Sequence, residues 1–446
     1  MPLRRLKNAK PEDGAFERFR ASIDPLWIQQ ALELTGTATL RKRRLPAEQV
    51  IWLVLGMALY HDRPIAELVD KLDLALPDTC DTLVARSAAP QARARLGPEP
   101  MRWLFECCSR KWAHERAAAD RYRGLAVYGV DGTSTRTPDS EENRAHFGGH
   151  SSGRGESGYP LVRFVTLMAL RSHLLAAVRF GPYAESESSM ASGLWSEVPN
   201  DSLTVVDRGF LGAALLLGLQ DGGSNRHWMT RAKVNTSYRV LKTFGRGDEL
   251  IEMTVSAAAR ELDPKLPKTW TVRAVRYQRR GFKPQILLTS LIDAEKYPGK
   301  ELAALYHERW EIELGFDEIK TEMLERHEHI RSKTRLGVEQ ELWGLGLAYN
   351  LIRLEMVRIA DEANLPPNRI SFVAAHRLIC DEWFWSCGTA TPGAIPKHLR
   401  RLRENIARFV LPPRRTERLY PRAVKIKMSN YARKRPTAAS RARRAN

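Results

Sequence analysis

The sequence predicts an α/β fold, a mixed β-sheet covered by helices, and three observations lead to it. Short apolar runs in the middle of the chain first follow one another directly and then alternate with a helical pattern, the order expected of a mixed sheet. The stretches on either side carry helical periodicity. The composition, 43% hydrophobic and 28% charged over 446 residues, excludes disorder of the whole chain. A chain of this length suggests about two to four units, each large enough to bury a core.

Residues 1–118 are expected to be helical, with helices over Trp27 to Leu34, Ala47 to Tyr60 and Ile65 to Leu72 separated by Pro and Gly. Leu53, Met57 and Tyr60 recur at helical spacing and read as a packed core stripe. The pattern changes at Gly124. Leu125 to Val130 is an apolar run ending at Asp131-Gly132, and Arg163 to Leu170 and Leu174 to Phe180 follow with only a turn-like Arg-Ser-His between them. Three strands in meander order are expected. Ser186 to Glu197 is compatible with helix, Ser202 to Val206 is a fourth strand ending at Asp207, Leu211 to Leu219 is a helix and His227 to Arg231 a fifth strand. These elements make residues 119–231 the first part of a sheet core. Residues 232–298 read as a β-rich insertion, because Thr269 to Tyr277 and Gln285 to Leu291 flank the hairpin signal Arg280-Gly281. Residues 299–396 return to helix, uninterrupted from Glu301 to Leu324 and again from Glu339 to Ala360. The last segment, 397–446, holds Pro412-Pro413, Pro421 and Pro436, so it is expected to be extended beyond a short helix at about Leu399 to Val410.

Charge is distributed unevenly. The formal net charge is +19, from 71 Lys plus Arg against 52 Asp plus Glu, yet residues 397–446 hold 17 basic residues and only Glu404 and Glu417 as acids. A net of +15 therefore belongs to this arm and +4 to everything before it. Such an arm points to a polyanionic partner. Five cysteines (Cys80, Cys107, Cys108, Cys380, Cys387) with no C-x-x-C pair form neither a disulfide framework nor a zinc site, and a reducing cytosol is expected. The longest uncharged apolar run, Val50 to Tyr60, has 11 residues, against about 20 for a membrane span. The opening MPLRRLKNAKPEDG has no apolar core after its basic residues, so no signal peptide is read.

The segment from Tyr306 to Lys320 is the most informative. At about 100° per residue, with Tyr306 at zero, Arg309 falls near −60°, Glu313 near −20° and Lys320 near −40°, one stripe about 60° wide. Leu305, Ile312, Phe316 and Ile319 form a neighbouring apolar face that can anchor the helix. By itself the stripe could be a solvated face with an Arg309 to Glu313 ion pair. Asp131 and Asp207, each at the end of a strand, change that reading. If the first and fourth strands are parallel neighbours, both carboxylates emerge at the edge where open α/β sheets place ligands, and a helix across the sheet could bring Glu313 to them. Carboxylates so placed repel unless a hard cation lies between them, and Mg²⁺ prefers such oxygen donors. Two such ions support in-line phosphoryl transfer.

The Tyr306, Arg309, Glu313, Lys320 spacing resembles the Y-x2-R-x3-E-x6-K signature of bacterial transposases of the insertion-sequence-four family, members of the DDE group with a ribonuclease-H-like core. VDGTSTRTPDSEENRAHFG around Asp131 and TVVDRGF around Asp207 resemble that family's first two acidic motifs. RKRRLPAEQVIWLVLGMALY resembles its N-terminal domain and LPPRRTERLYPRAVKIK its basic end, so the likeness covers nearly the whole chain. It implies a DNA-binding role for residues 1–118 and two Mg²⁺ ions, replaceable by Mn²⁺, on Asp131, Asp207 and Glu313. It also implies cut-and-paste transposition: hydrolytic nicking at element ends, attack of the freed 3′-hydroxyl on the opposite strand, and strand transfer. Tyr306, Arg309 and Lys320 would contact the DNA end, which suits Arg as a phosphate fork and Lys as a point charge. Some relatives form a hairpin and stack a flipped base on a tryptophan. Trp228 and Trp270 are candidates for that residue, each equally readable as core. The implied partners are double-stranded DNA, at inverted-repeat ends and target, and a second copy of the chain in the synaptic complex; the expected location is the bacterial cytoplasm at the nucleoid.

Other motifs are set aside. Gly153-Arg-Gly155-Glu-Ser-Gly158 matches G-x-G-x-x-G but lacks a preceding strand and following helix, and reads as a loop. His327-Glu328-His329 lacks i,i+4 spacing, and Asn235-Thr-Ser237 is a sequon in a chain with no mark of secretion. Asp317 shares the face of Glu313 as a supporting ligand or a local ion-pair partner. Two rival functions are a ribonuclease-H-like nuclease without strand transfer and a non-catalytic DNA-binding derivative.

Overall fold

The computed structural model describes residues 23–38, 45–71, 87–152, 155–279, 283–325, 329–389 and 395–412. Among these residues two compact units are present: 110–317 with 329–335, and 23–109 with 318–325 and 336–412.

The first is built on one mixed sheet. Its main strands are β1 (Leu125–Arg136), β2 (Leu161–Ala169), β3 (Leu174–Pro182), β4 (Ser202–Val206), β5 (Arg226–Arg231), β6 (Arg239–Gly245), β7 (Asp248–Thr254), β8 (Thr269–Tyr277) and β9 (Gln285–Thr289). Their order across the sheet is β3-β2-β1-β4-β5-β9-β8-β7-β6. The β1–β2 and β2–β3 pairs are antiparallel, whereas β4 runs parallel to β1 and β5 parallel to β4. Every residue of β4 is buried, as expected of a central parallel strand covered on both faces. The insertion strands extend the same sheet: β9 pairs antiparallel with β5, and β8 and β9 form the expected hairpin. β6, with all seven residues exposed, closes the edge and carries Arg239 and Lys242, the charges that blunt an edge strand. The helix Trp310–Asp317 packs on this unit through Ile312 and Phe316, the latter edge-on to Phe164 at 5.6 Å. A meander of three strands followed by two parallel ones is the ribonuclease-H-like core, here with a β-rich extension.

The second unit is helical. Its long helix, Arg335–Glu362, is buried along most of its length, and Ala47–Leu59 is buried at all but two of its residues. That burial explains the apolar run as a core helix. A Cβ at Gly344 would lie 2.5 Å from Val54, so only glycine allows this approach. Phe105 of the helix Glu99–Ala119 packs on Trp343 with ring centroids 5.3 Å apart. The tail helix spans Ile395–Ala407, and the residues from 413 onward, including most of the basic arm, lie outside the described residues.

The uniform helix from Glu301 to Leu324 is corrected. Helix starts at Gly299, tightens to a 3₁₀ turn at Tyr306–Arg309, returns to α over Trp310–Asp317 and widens to a π-helix at Glu318–Met323. The Leu324 N–H donates to the Ile319 carbonyl, the i→i+5 bond of a π turn. Its first residue, Glu318, is tied to Arg353 and accepts from the Tyr349 hydroxyl at 2.8 Å, a fixed point that the periodicity does not encode. In the 3₁₀ turn, residues three apart eclipse, so Arg309 lines up with Tyr306 more closely than the wheel indicates.

Candidate active site

The parallel register places Val130 opposite Val206, so the next residues, Asp131 and Asp207, stand side by side where the β1–β4 pairing stops. The expected strand end at Asp131 is corrected: β4 ends at Val206, but β1 runs on to Arg136, its polar residues Gly132 to Arg136 held by pairing with β2. Apolar burial on both faces leaves this edge as the place where polar groups can emerge. Each carboxylate is oriented by its own backbone: Asp131 Oδ1 accepts from Gly132 N–H at 2.8 Å, and Asp207 Oδ1 accepts from Arg208 N–H at 2.6 Å. A Cβ on Gly132 would lie 2.5 Å from the Glu187 side chain, so glycine lets this further carboxylate approach. Burial pushes the Asp131 carboxyl up to about 7; the Gly132 N–H and the Arg309 charge oppose the rise, and Asp207 and Glu187 add to it.

The signature helix supplies the rest. Arg309 is 7% exposed. Its Nη2 donates to Glu313 Oε1 at 2.5 Å and its Nη1 lies 3.6 Å from Asp131 Oδ2, so one guanidinium links the helix carboxylate to the strand carboxylate. Arg231, at the end of β5, lies 3.9 Å from Asp207. The Tyr306 ring is buried and its hydroxyl donates to the Val206 carbonyl at 3.4 Å, one residue from Asp207. Burial raises this phenol to about 12. Asp131, Asp207, Tyr306, Arg309 and Glu313 are thus gathered in the sheet unit. Lys320 stands on the π-helical segment, which packs as part of the helical unit, and Asp317 is exposed at the end of the α-helical turn.

Several supporting residues escape linear reading. The Arg-Ser-His turn between β2 and β3 grips the signature helix at two points. Arg171 donates to both oxygens of Glu308, at 2.9 and 3.1 Å, and pairs with Asp120 at 2.9 Å. His173 Nε2 lies 2.8 Å from Glu311 Oε2, with both side chains almost fully buried. In sequence these residues are an unremarkable turn and two surface-type glutamates. Trp228 and Trp270 turn out to be core: both are buried, with ring centroids 5.3 Å apart. Gly155–Glu156 pairs with Ser151–Ser152 in a minimal hairpin, and the strand that follows excludes a dinucleotide turn. His327 and Glu328 lie outside the described residues.

Asp131, Asp207 and Glu313 offer only carboxylate oxygen, the donor type that suits a hard divalent cation. The rise at Asp131, which its carboxylate neighbours enlarge, is the electrostatic mark of a site that a cation would relieve. Among the described residues no three His, Cys, Asp or Glu side chains form a finished cage, and Arg309 is the positive group beside Asp131 and Glu313. The donor chemistry therefore fits a metal.

A ribonuclease-H-like sheet with two aspartates side by side where two parallel strands stop pairing, and a glutamate on a helix packed against it, defines the class of DDE phosphoryl-transfer enzymes. Residues 123–351 match the family described as Transposase DDE domain, and residues 13–106 match Insertion element 4 transposase N-terminal. The chain is 38% identical over 417 residues to the transposase InsG for insertion sequence element IS4 of Escherichia coli (strain K12), covering 93% of this chain and 92% of that one. It is also similar to the piggyBac transposase in a synaptic complex with hairpin DNA, with a TM-score of 0.43, 12% identity, and 89% and 85% of the two chains covered. The chain belongs to the insertion-sequence-four family of DDE transposases. It is a DNA transposase and, like the DDE group, depends on divalent metal and binds DNA. Among the described residues, no helix is long and apolar enough to cross a membrane.

Proposed function

We propose that the enzyme moves its insertion sequence by cut-and-paste, with Asp131, Asp207 and Glu313 holding two Mg²⁺ ions, or Mn²⁺ in their place. The side-by-side register of Asp131 and Asp207 carries this reading. When bound, such ions activate water or a 3′-hydroxyl and stabilise the leaving oxygen. The protein holds each aspartate in one orientation through a backbone N–H, so little reorganisation is needed when charge develops. Glu313 is brought to the same edge by the clamped signature helix. Arg309 pairs with Asp131 and Glu313, and its fork matches a phosphate equally well. Tyr306, Arg309 and Lys320 are proposed as contacts to the DNA end. In this scheme residues 1–118 bind element ends, 119–231 and 299–396 form the catalytic core, 232–298 the insertion, and 397–446 a backbone-gripping arm. Two copies pair the two ends at the nucleoid. Incubating the enzyme and Mg²⁺ with a duplex from the DNA flanking its reading frame, together with a supercoiled target plasmid, should yield the end covalently joined to target. Cleaved but unjoined ends would favour the nuclease alternative.

A further inference from the structure

Beyond the carboxylate edge, a cleft of about 600 Å³ opens where the β6–β7 turn, the end of β8 and the helix Gly299–Leu305 converge. Its basic lining is Arg246, Arg276, Arg279 and Lys300, with His307 at one side. The one acid there, Asp248, is engaged by Arg273, which donates to its two oxygens at 2.7 and 2.5 Å. Among the described residues, Arg246, Arg276 and Lys300 meet no carboxylate. Arg279 Nη1 lies 3.0 Å from His307 Nδ1. Burial, followed by the charges of Arg279 and Arg231, lowers His307 to about 4, so at neutral pH the ring is uncharged and can accept from Arg279. A concave surface with this excess of cations attracts a polyanion strongly.

We propose that this cleft is a second phosphate-binding site, taking the backbone of a DNA strand that runs beside the signature helix, with Arg246, Arg276 and Lys300 as contacts. His307 follows Tyr306 directly, so a strand held here passes next to the residues proposed to grip the DNA end. The guanidinium groups provide forks and Lys300 a point charge, the set expected for sequence-independent positioning. This inference rests on the transposase reading and deepens it.

The test is the salt dependence of binding to a 30-bp fluorescein-labelled duplex of random sequence, with EDTA present. The Arg246→Ala/Arg276→Ala/Lys300→Ala variant should lose about 0.9 in the slope of log K against log[salt] for each contact removed, up to about 2.7. Its affinity at 150 mM salt should fall at least tenfold. A control variant with Lys265, Lys268 and Lys296 changed to Ala loses the same formal charge outside the cleft and should keep a slope near that of wild type. An unchanged slope in the cleft variant, or an equal fall in both variants, overturns the proposal. No salt-dependent binding by the wild-type protein would instead overturn the transposase reading.

Discussion

Asp131 sits where burial and chemistry conflict. Its folded-state value of about 7 lies above the ordinary 3.8, so the neutral form favours folding. That contribution is full below about pH 4 and is lost as pH rises through about 7; the ionised carboxylate then weighs against the metal-free fold by roughly 4 kcal/mol at most. Asp131→Asn should therefore melt higher than wild type in EDTA, by a margin that grows between pH 4 and 7 and levels off above; calorimetry across that range checks it. Adding Mg²⁺ should raise the melting temperature of wild type and leave the variant nearly unmoved. A second prediction concerns Lys320→Ala, which should reduce the salt slope of end binding by about 0.9, the loss of one phosphate contact. The two aspartates were legible because each closes an apolar run, and Asp207 does follow its strand; the continuation of β1 past Asp131 to Arg136 was not legible, because Gly-Thr-Ser-Thr-Arg shows no apolar alternation. The raised affinity of Asp131 for its proton was not legible, since it comes first from burial in the folded sheet and then from Asp207 and Glu187, residues far apart in sequence.

The signature helix is fixed by contacts that lie away from its functional stripe. Glu311 is buried against His173, so His173→Ala leaves a buried carboxylate without that partner and should destabilise the protein by about 3–5 kcal/mol in urea denaturation. Replacing both residues with Leu should recover much of the loss, because two apolar groups leave no uncompensated charge. The strands around Asp131 and Asp207 and the hairpin of the insertion were readable from their apolar runs. β6 was not, since an edge strand exposed at every residue shows no alternation of apolar and polar positions. The helix Glu99–Ala119 was hidden by its charged composition and by Pro100, although proline fits the first turn of a helix. A wheel with one constant angle could place Tyr306, Arg309 and Glu313 on one side, but it could not register the 3₁₀ and π turns, which arise from tertiary anchors such as Arg353 on Glu318.

Across the whole molecule, charge and chemistry are separated along the chain. Residues 413–446 carry 12 Lys/Arg against Glu417 alone. Removing them should lower affinity for random-sequence duplex at least tenfold at physiological salt and flatten its salt dependence, while preference for the element end over random sequence is retained; competition binding measures both. The mixed sheet could be anticipated from pattern, whereas the joining of the insertion to it through β9 and β5 depends on pairing between segments about 60 residues apart. Glu313 is proposed to complete a metal-holding set with Asp131 and Asp207. Its most direct test is Mg²⁺-dependent cleavage of an end-bearing duplex by Glu313→Gln, with binding of the same duplex measured in parallel. Cleavage should fall at least about a hundredfold while binding stays close to wild type; cleavage at the wild-type rate would contradict the assignment.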